Sequence, residues 1–296
     1  MTLLLGVDVG GTAIKWAVVR DAAPVASGHL PTPRSGPPAV RSVIAALAGE
    51  HRPDAIGVAV PGHLDRRTGV VRFVPNLPGD WTDFPLGAGI SAETGRPVRV
   101  LNDSRAFALA ELRTGAARGM CDVLFLTLGT GVGGAYASGG RVLSGPGDRL
   151  GEIGHVIHDE TGPRCGCGAR GCLETVASGV AISRAYRARS GIAAEARAVV
   201  AAAAAGDADA AHVLAAAGDA IGAVLASVLG LLPAQAVVAG GGVAGALPWM
   251  REAITGRLAQ RRSFVGEVEV VAAALGTGAG AIGAAFYAAQ QEGVGT

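Results

Sequence analysis

Apolar and β-branched positions fall in short runs broken by glycines, and these runs alternate with longer stretches of helical periodicity. Leu3–Val9 is such a run; it ends at Gly10-Gly11-Thr12 and predicts a strand stopped by a tight turn. Ile14–Val19 and Val25–Leu30 predict two more strands, joined through Asp21-Ala22-Ala23-Pro24. A helix is expected over roughly Pro38–Glu50. A buried strand, Ala55–Val60, follows and stops at Pro61-Gly62, and Val70–Val74 predicts a further short one. Val98–Leu101 predicts another strand, and Asn102-Asp103-Ser104 leads into a helix over Arg105–Thr114. An Asn or Asp at such a junction is the ordinary choice for a helix cap.

The second half opens in the same way. Asp122–Leu128 predicts a buried strand, Gly129-Thr130-Gly131 a turn, and Val132–Ala137 a second strand. A strand, a Gly/Thr turn and another strand thus occur twice, about one domain apart, which predicts two similarly built α/β domains. We place them at 1–115, completed by a C-terminal helix at 279–296, and at 116–278. Gly145–Glu174 is rich in Gly, Cys and His without periodicity and predicts a loop, spanning about 145–175 of the second domain. Val176–Arg189 and the alanine-rich Ala193–Leu232 predict helices, and Val237-Val238-Ala239 a strand ending in Gly240-Gly241-Gly242. A helix at Pro248–Gln260, a strand near Val268–Ala272 and a closing helix from about Ala279 to Gln290 complete the pattern.

Composition narrows the function classes. With 296 residues, half of them hydrophobic and 17% charged, the chain can bury a large core and is not disordered. A net charge of +1 and a pI of about 7.8 offer no basic footprint for nucleic acid or an anionic membrane. Lys15 is the only lysine; arginine supplies the remaining positive charge. The mean hydropathy of +0.39 raises the question of a membrane span. The most apolar stretch, Ala220–Ala239, begins beside Asp219 and is interrupted by Pro233 and Gln235. It predicts a buried helix ending near Leu232, a turn, and a buried strand at Ala236–Ala239. The first residues lack a basic region and carry Asp8, so no signal peptide is expected and the chain is placed in the cytoplasm.

Four cysteines are too few for a disulfide scaffold, and three of them crowd between 165 and 172. With His155 they give H-x9-C-x-C-x4-C, and Gly166, Gly168 and Gly171 supply tight turns. Three thiolates and an imidazole make a complete tetrahedral set for a structural Zn²⁺. Spacing leaves His155 and His158 both open as the imidazole ligand. Cys121 stands apart beside a predicted strand and is expected to be an inert core thiol.

Asp8-Val9-Gly10-Gly11-Thr12 puts bare backbone N–H groups and a hydroxyl at a strand end, where an anion can approach. The Asp8 carboxylate could hold a divalent cation there through water. Leu128-Gly129-Thr130-Gly131-Val132-Gly133-Gly134 echoes the arrangement, so two phosphate-type hairpins in two domains would form a clamp. Neither is a Walker motif, because neither ends in Gly-Lys-Ser/Thr before a helix. Gly240-Gly241-Gly242 is a third stretch of bare backbone for a nucleotide. Asp103 follows a strand at the edge where α/β domains place ligands, while Glu152 and Glu174 flank the Cys/His loop. With Asn76 and Asn102, these carboxylates suit a ligand with several hydroxyl groups.

These motifs, in order, are D-V-G-G-T, P-G at 61–62, P-N-L at 75–77, N-D at 102–103, L-G-T-G-V-G-G, G-E-I-G-H at 151–155, C-G-C-G-A-R-G-C-L-E at 165–174 and A-G-G-G-V at 239–243. Together they resemble the ROK family of sugar kinases and sugar-responsive repressors, over about Leu4 to Ala285. The resemblance implies an α/β, actin-like (ribonuclease H-like) two-domain sugar kinase fold with an interdomain active-site cleft and a zinc-binding loop. It implies ATP and Mg²⁺ as cofactors and Asp103 as the base that takes a proton from a hexose, most naturally at the 6-hydroxyl. Gly62, Asn76, Asn102, Asp103, Glu152, His155 and Glu174 would bind the sugar. Asp8, Gly10, Gly11, Thr12, Lys15, Thr130 and Gly131 would serve the phosphates and their cation, and Gly241 and Gly242 the adenosine. The zinc ligands would be His155, Cys165, Cys167 and Cys172, which decides against His158.

One departure bears on the substrate. Many glucose-phosphorylating members continue N-D with Ala-Asn, whereas this chain has Ser104-Arg105. Glucose is therefore expected beside other acceptors: kanosamine or another amino sugar, mannose, fructose or a cyclitol. Polyphosphate is the alternative donor to ATP. A sugar-sensing regulator of the same family is the non-enzymatic alternative. It is disfavoured because the first strand starts at Leu3, with no place before it for a DNA-binding domain, and because no basic face is expected. A catalytically silent sugar-binding module is disfavoured by the intact Asp103 and hairpins. The partners are then a small sugar and ATP, with neither nucleic acid nor membrane, and the chain is expected to be a homo-oligomer, dimer or tetramer.

Overall fold

Alternation and β-branching at the N terminus produce an antiparallel meander. β1 (Leu3–Val9), β2 (Ala13–Arg20) and β3 (Ala23–Pro31) are joined by tight turns, with Asp21 and Ala22 at positive φ between β2 and β3. The computed structural model describes residues 2–290, which divide into two compact units. The first comprises residues 2–118, 144–150 and 275–290; the second comprises 119–143 and 151–274.

In the first unit, α1 (Pro37–His51) starts with prolines in its first turn and buries Val40, Ile44, Leu47 and Ala48, the i, i+4, i+7, i+8 stripe of an amphipathic helix. β4 (Ala55–Val60) is buried almost throughout. β5 (His63–Asp65) and β6 (Val70–Phe73) form a small hairpin. α2 (Leu86–Thr94), β7 (Val98–Asn102) and α3 (Asp103–Thr114) follow. The sheet order is β3-β2-β1-β4-β7, with β4 parallel to both β1 and β7. The ends of β1, β4 and β7 therefore lie on one edge, where Asp8, Gly62 and Asn102 emerge.

The second unit repeats this topology. β8 (Val123–Leu128), β9 (Val132–Ser138) and the short β10 (Arg141–Val142) form a meander. α4 (Glu174–Ala177), α5 (Gly179–Ser190), α6 (Ala196–Ala204) and α7 (Ala208–Val228) precede β11 (Ala236–Gly240). α8 (Leu247–Gln260), α9 (Arg262–Val265) and β12 (Glu269–Ala272) complete it, in the order β10-β9-β8-β11-β12. α7 is long and apolar enough to cross a membrane by length and composition. Its Val213, Leu214, Ala217, Ile221, Val224 and Leu225 are nevertheless buried in this unit.

α10 (Ala279–Ala288) returns to the first unit and packs across β1 and β4. Its approach is so close that a Cβ on Gly57 of β4 would overlap the Ala284 carbonyl of α10. Residues 291–296, the remainder of the expected C-terminal helical segment, lie outside the described residues.

Four expectations change. The helix expected over Val176–Arg189 is broken at Ser178, which ends α4 and caps α5 by accepting from Ala181 N–H. Ala193–Leu232 is two helices rather than one, because Asp207 after Gly206 caps α7 by accepting from the N–H groups of Asp209 and Ala210. α7 ends at Val228 rather than near Leu232, as the chain tightens into turns around Gly230 and leaves Leu231 exposed. Cys121 is exposed, not a core thiol, because it precedes β8 and lies beside the Gly139-Gly140 turn, where its carbonyl accepts from Gly140 N–H.

Candidate functional site

In the first unit, β1 delivers Asp8 to the Gly10-Gly11-Thr12 turn. The turn closes through Gly10 N–H to the Ala13 carbonyl (3.1 Å) and is tied to β3's end by the Thr32 hydroxyl donating to Gly10 O (2.5 Å). Lys15 is the cross-strand partner of Asp8. The Asn76 carbonyl lies against Gly11, held there by a loop whose Leu77 and Trp81 are buried.

Asn102 ends β7 and caps α3. Its side-chain oxygen accepts from the N–H groups of Ser104 (3.0 Å) and Arg105 (3.3 Å), and its amide donates to Gly62 O (3.2 Å). Asn102 thus acts as the cap its position predicts, and at the same time fixes the Pro61-Gly62 turn beside α3. Asp103 is the first helical residue, half-buried, and one of its carboxylate oxygens accepts from Ser104 N–H at 2.7 Å. At this position its carboxylate faces the unpaired amides at the start of α3 and the positive end of the helix dipole.

Asp8 has the opposite environment. Burial pushes its carboxyl up to about 6, the negative Asp103 adds to the rise and Lys15 opposes it. The folded-state value lies above the ordinary 3.8, so the native state holds the extra proton between about pH 4 and 6 and loses that stabilisation as pH rises through 6. Asp8→Asn removes the charge and is therefore expected to raise Tm relative to the native chain. The gain should grow from pH 4 to pH 6 and stay level above; thermal unfolding at several pH values reads it. A gain that does not change over that window would contradict the buried-charge account.

In the second unit, the β8–β9 turn is braced from two sides. Gly129 N–H donates to Gly131 O (3.0 Å), and Gly179 N–H, the first residue of α5, donates to Gly129 O (2.8 Å). The Glu174 carboxylate accepts from Val132 N–H at 3.0 Å and fills the space a Cβ on Gly131 would occupy. Glu174 therefore lies against the Thr130-Gly131 turn. Gly241, at φ 96, packs on the backbone of Leu128, so the Gly240-Gly241-Gly242 stretch runs beside this hairpin. Arg197 of α6 donates to the Gly242 carbonyl (3.1 Å), a neighbour that no sequence motif marks.

The chain leaves Glu152, which is exposed, through one turn of 3₁₀ helix, Ile153–His155. It then makes a knuckle in which Cys165 N–H bonds Ala169 O and His158 N–H bonds Gly171 O. The ligand atoms of His155, Cys165, Cys167 and Cys172 all lie within 4.8 Å of one another, with Cys165 Sγ 3.6 Å from His155 Nδ1. His158 lies outside this set. Burial, then the neighbouring thiols, push Cys172 up to about 12. Burial also raises Cys165, while the Ala169 N–H lowers Cys167. Three thiols gathered this tightly resist ionising together unless a cation joins them, and the set fits tetrahedral Zn²⁺ in both ligand type and number.

Each unit thus carries a glycine turn at the end of its first hairpin. The first adds two carboxylates at the strand ends, and the second adds a Cys₃His knuckle. That combination defines a phosphotransferase of the actin-like α/β class. The chain belongs to the ROK family, whose model matches residues 4–291. It is 34% identical to the glucokinase of Thermotoga maritima, over 95% of this chain and 96% of that one. It is 33% identical to an N-acetylmannosamine kinase of Escherichia fergusonii, over 96% and 97%. A ROK family glucokinase from Streptomyces griseus, solved with glucose and AMPPNP, superposes with a TM-score of 0.88 at 32% identity, covering 98% of this chain and all of that one.

Proposed function

We propose that the protein is an ATP-dependent hexose kinase that phosphorylates the 6-hydroxyl of glucose or a close relative. The observation that carries this reading is the placement of Asp103 at the amino end of α3, beside the Asp8 turn, in a chain similar along its whole length to glucokinases. Phosphoryl transfer requires alignment and charge neutralisation more than covalent help. Asp103 would orient the acceptor hydroxyl and take its proton as the oxygen attacks. Gly10, Gly11 and Thr12 in one unit, and Thr130 and Gly131 in the other, would direct N–H and hydroxyl donors at the phosphates. Asp8 and Lys15 would hold the charge of a Mg²⁺–nucleotide, the cation serving to neutralise phosphate oxygens. Gly241 and Gly242 would leave room for adenosine.

Gly62, Asn76, Asn102, Glu152, His155 and Glu174 would serve the sugar. His155 would use Nδ1 for zinc and its other nitrogen for a hydroxyl, so the metal would fix the orientation of the ring. A cytoplasmic homo-oligomer, dimer or tetramer, goes with this reading.

N-acetylmannosamine or another amino sugar is the second reading, favoured by Ser104-Arg105 and by the equally similar N-acetylmannosamine kinases. A coupled ADP-release assay over glucose, mannose, fructose, kanosamine, N-acetylmannosamine and a cyclitol tests both. Turnover of at least one hexose with ATP is expected, and ADP release that ignores every sugar would defeat the proposal. On the donor side, Thr130→Val replaces a hydroxyl by a methyl and is expected to raise the ATP KM with the sugar Kd little changed. A raised sugar Kd with nucleotide binding untouched would assign the hairpin to the other ligand.

A further inference from the structure

Arg105 occupies the place where a cation is least expected. It lies in the first turn of α3, where the helix dipole repels positive charge, and it is only 4% exposed. Its guanidinium reaches 43 residues along the chain. Nη1 donates to the Asp148 carboxylate (3.2 Å), and Nη2 donates to the carbonyls of Asp148 (2.8 Å) and Leu150 (2.7 Å), with Ser144 O at 3.5 Å. Asp148 is itself buried, 6% exposed, and its second carboxylate oxygen lies 3.3 Å from Arg66 Nε, in the turn of the β5–β6 hairpin. Arg66 also donates to the Ser144 hydroxyl (2.9 Å). Two arginines, one from a helix start and one from a hairpin, therefore hold both ends of Ser144–Leu150.

Asp148 sits at φ 58, a left-handed conformation that glycine adopts freely and aspartate only at a modest cost. A turn alone would be better served by glycine, so the carboxylate is there for its partners. Removing the buried guanidinium leaves Asp148 with only the half-exposed Arg66 as a counter-ion and the carbonyls of residues 148 and 150 without their donor, so the pair acts as a unit.

We propose that Arg105 and Asp148 are positioning residues for the acceptor sugar. Their clamp holds Ser144–Leu150, the segment that leads directly into Gly151-Glu152, against the helix start that carries Asp103 and beside the hairpin that follows Gly62. This inference rests on the sugar-kinase reading for its kinetic consequence, whereas the clamp itself can be read without any substrate.

Hydrogen exchange of residues 144–150 in the substrate-free protein reads the clamp, and steady-state kinetics on the preferred sugar reads its use. Arg105→Met and Asp148→Gly are each expected to speed exchange in this segment by about tenfold or more. Each should raise the sugar KM by about tenfold while leaving the ATP KM within about twofold. Arg105→Lys keeps the charge but offers one ammonium where a fork spans a carboxylate and two carbonyls, so it should recover only part of the protection. It also keeps the test open if Arg105→Met does not fold. Asp148→Gly with unchanged exchange and a raised Tm would overturn the proposal, because the side chain would then be incidental to the turn. Equal rises in both KM values would overturn the link to the sugar. A native enzyme that phosphorylates no sugar, with the clamp intact by exchange, would instead count against the kinase reading alone.

Discussion

Asp103→Asn is expected to lower kcat by about two to four orders of magnitude while sugar still binds. Asparagine retains the size of the side chain and can still accept from Ser104 N–H, the bond that seats Asp103 at the start of α3. It cannot take a proton from the attacking hydroxyl. Helix geometry and capping by Asn102 are untouched, so folding should be unaffected. The loss should then fall on the chemical step, with little change in either KM. Single-turnover kinetics alongside a sugar titration separate these quantities. A variant keeping more than about a tenth of the native kcat would remove Asp103 from proton transfer.

Cys167→Ser is expected to lower zinc content and raise the sugar KM by about 10–100-fold, far more than the ATP KM. Cys167 is exposed, whereas Cys165 and Cys172 are buried, so its replacement removes a ligand without opening a core cavity. Without a cation, His155 and the three sulfurs lose the partner that joins them. The Cys165–Cys172 knuckle then rests on a few backbone bonds and on glycines at positive φ, Gly168 and Gly171. Ordering such a segment costs roughly 1–2 kcal/mol per residue, which metal binding would offset. Glu152, His155 and Glu174 all lie on or beside that segment, so the sugar should suffer first. Elemental analysis and sugar titration on one preparation decide it; zinc lost with sugar affinity unchanged would make the knuckle a remote staple.

Much of this was legible in the chain because the signals are local. The meander strands, the two Gly/Thr turns, the cap at Asn102 and the Cys/His spacing each sit within a few residues. The less legible parts depend on distant partners. α2 carries Gly87 and Gly89, poor helix formers, and is helical because Leu86 and Ile90 bury one turn apart and Gly87 N–H bonds Gly69 O. Arg105 stands out in sequence only as a departure at a helix start; its partners, Asp148 and Leu150, lie more than forty residues on. The raised carboxyl of Asp8 follows from its burial in the folded sheet first, and then from the Asp103 charge that α3 brings near, neither of which is visible in the local sequence. Glu174 accepts from Val132 N–H across 42 residues, a contact that spacing could not reveal. Cys121 misled for a simpler reason: adjacency to a buried strand is not burial.

Phosphorus NMR of the product formed from ATP and the best acceptor of the panel shows which oxygen receives the phosphoryl group. Phosphorylation at the 6-hydroxyl attaches phosphorus to a CH₂–O group, so the new monoester resonance should be a triplet in the proton-coupled spectrum. It should appear in step with ADP and be absent with Asp103→Asn. A doublet would place the phosphate on a secondary or anomeric oxygen, and ADP with inorganic phosphate but no monoester would mean hydrolysis; either result would contradict a 6-hydroxyl hexose kinase.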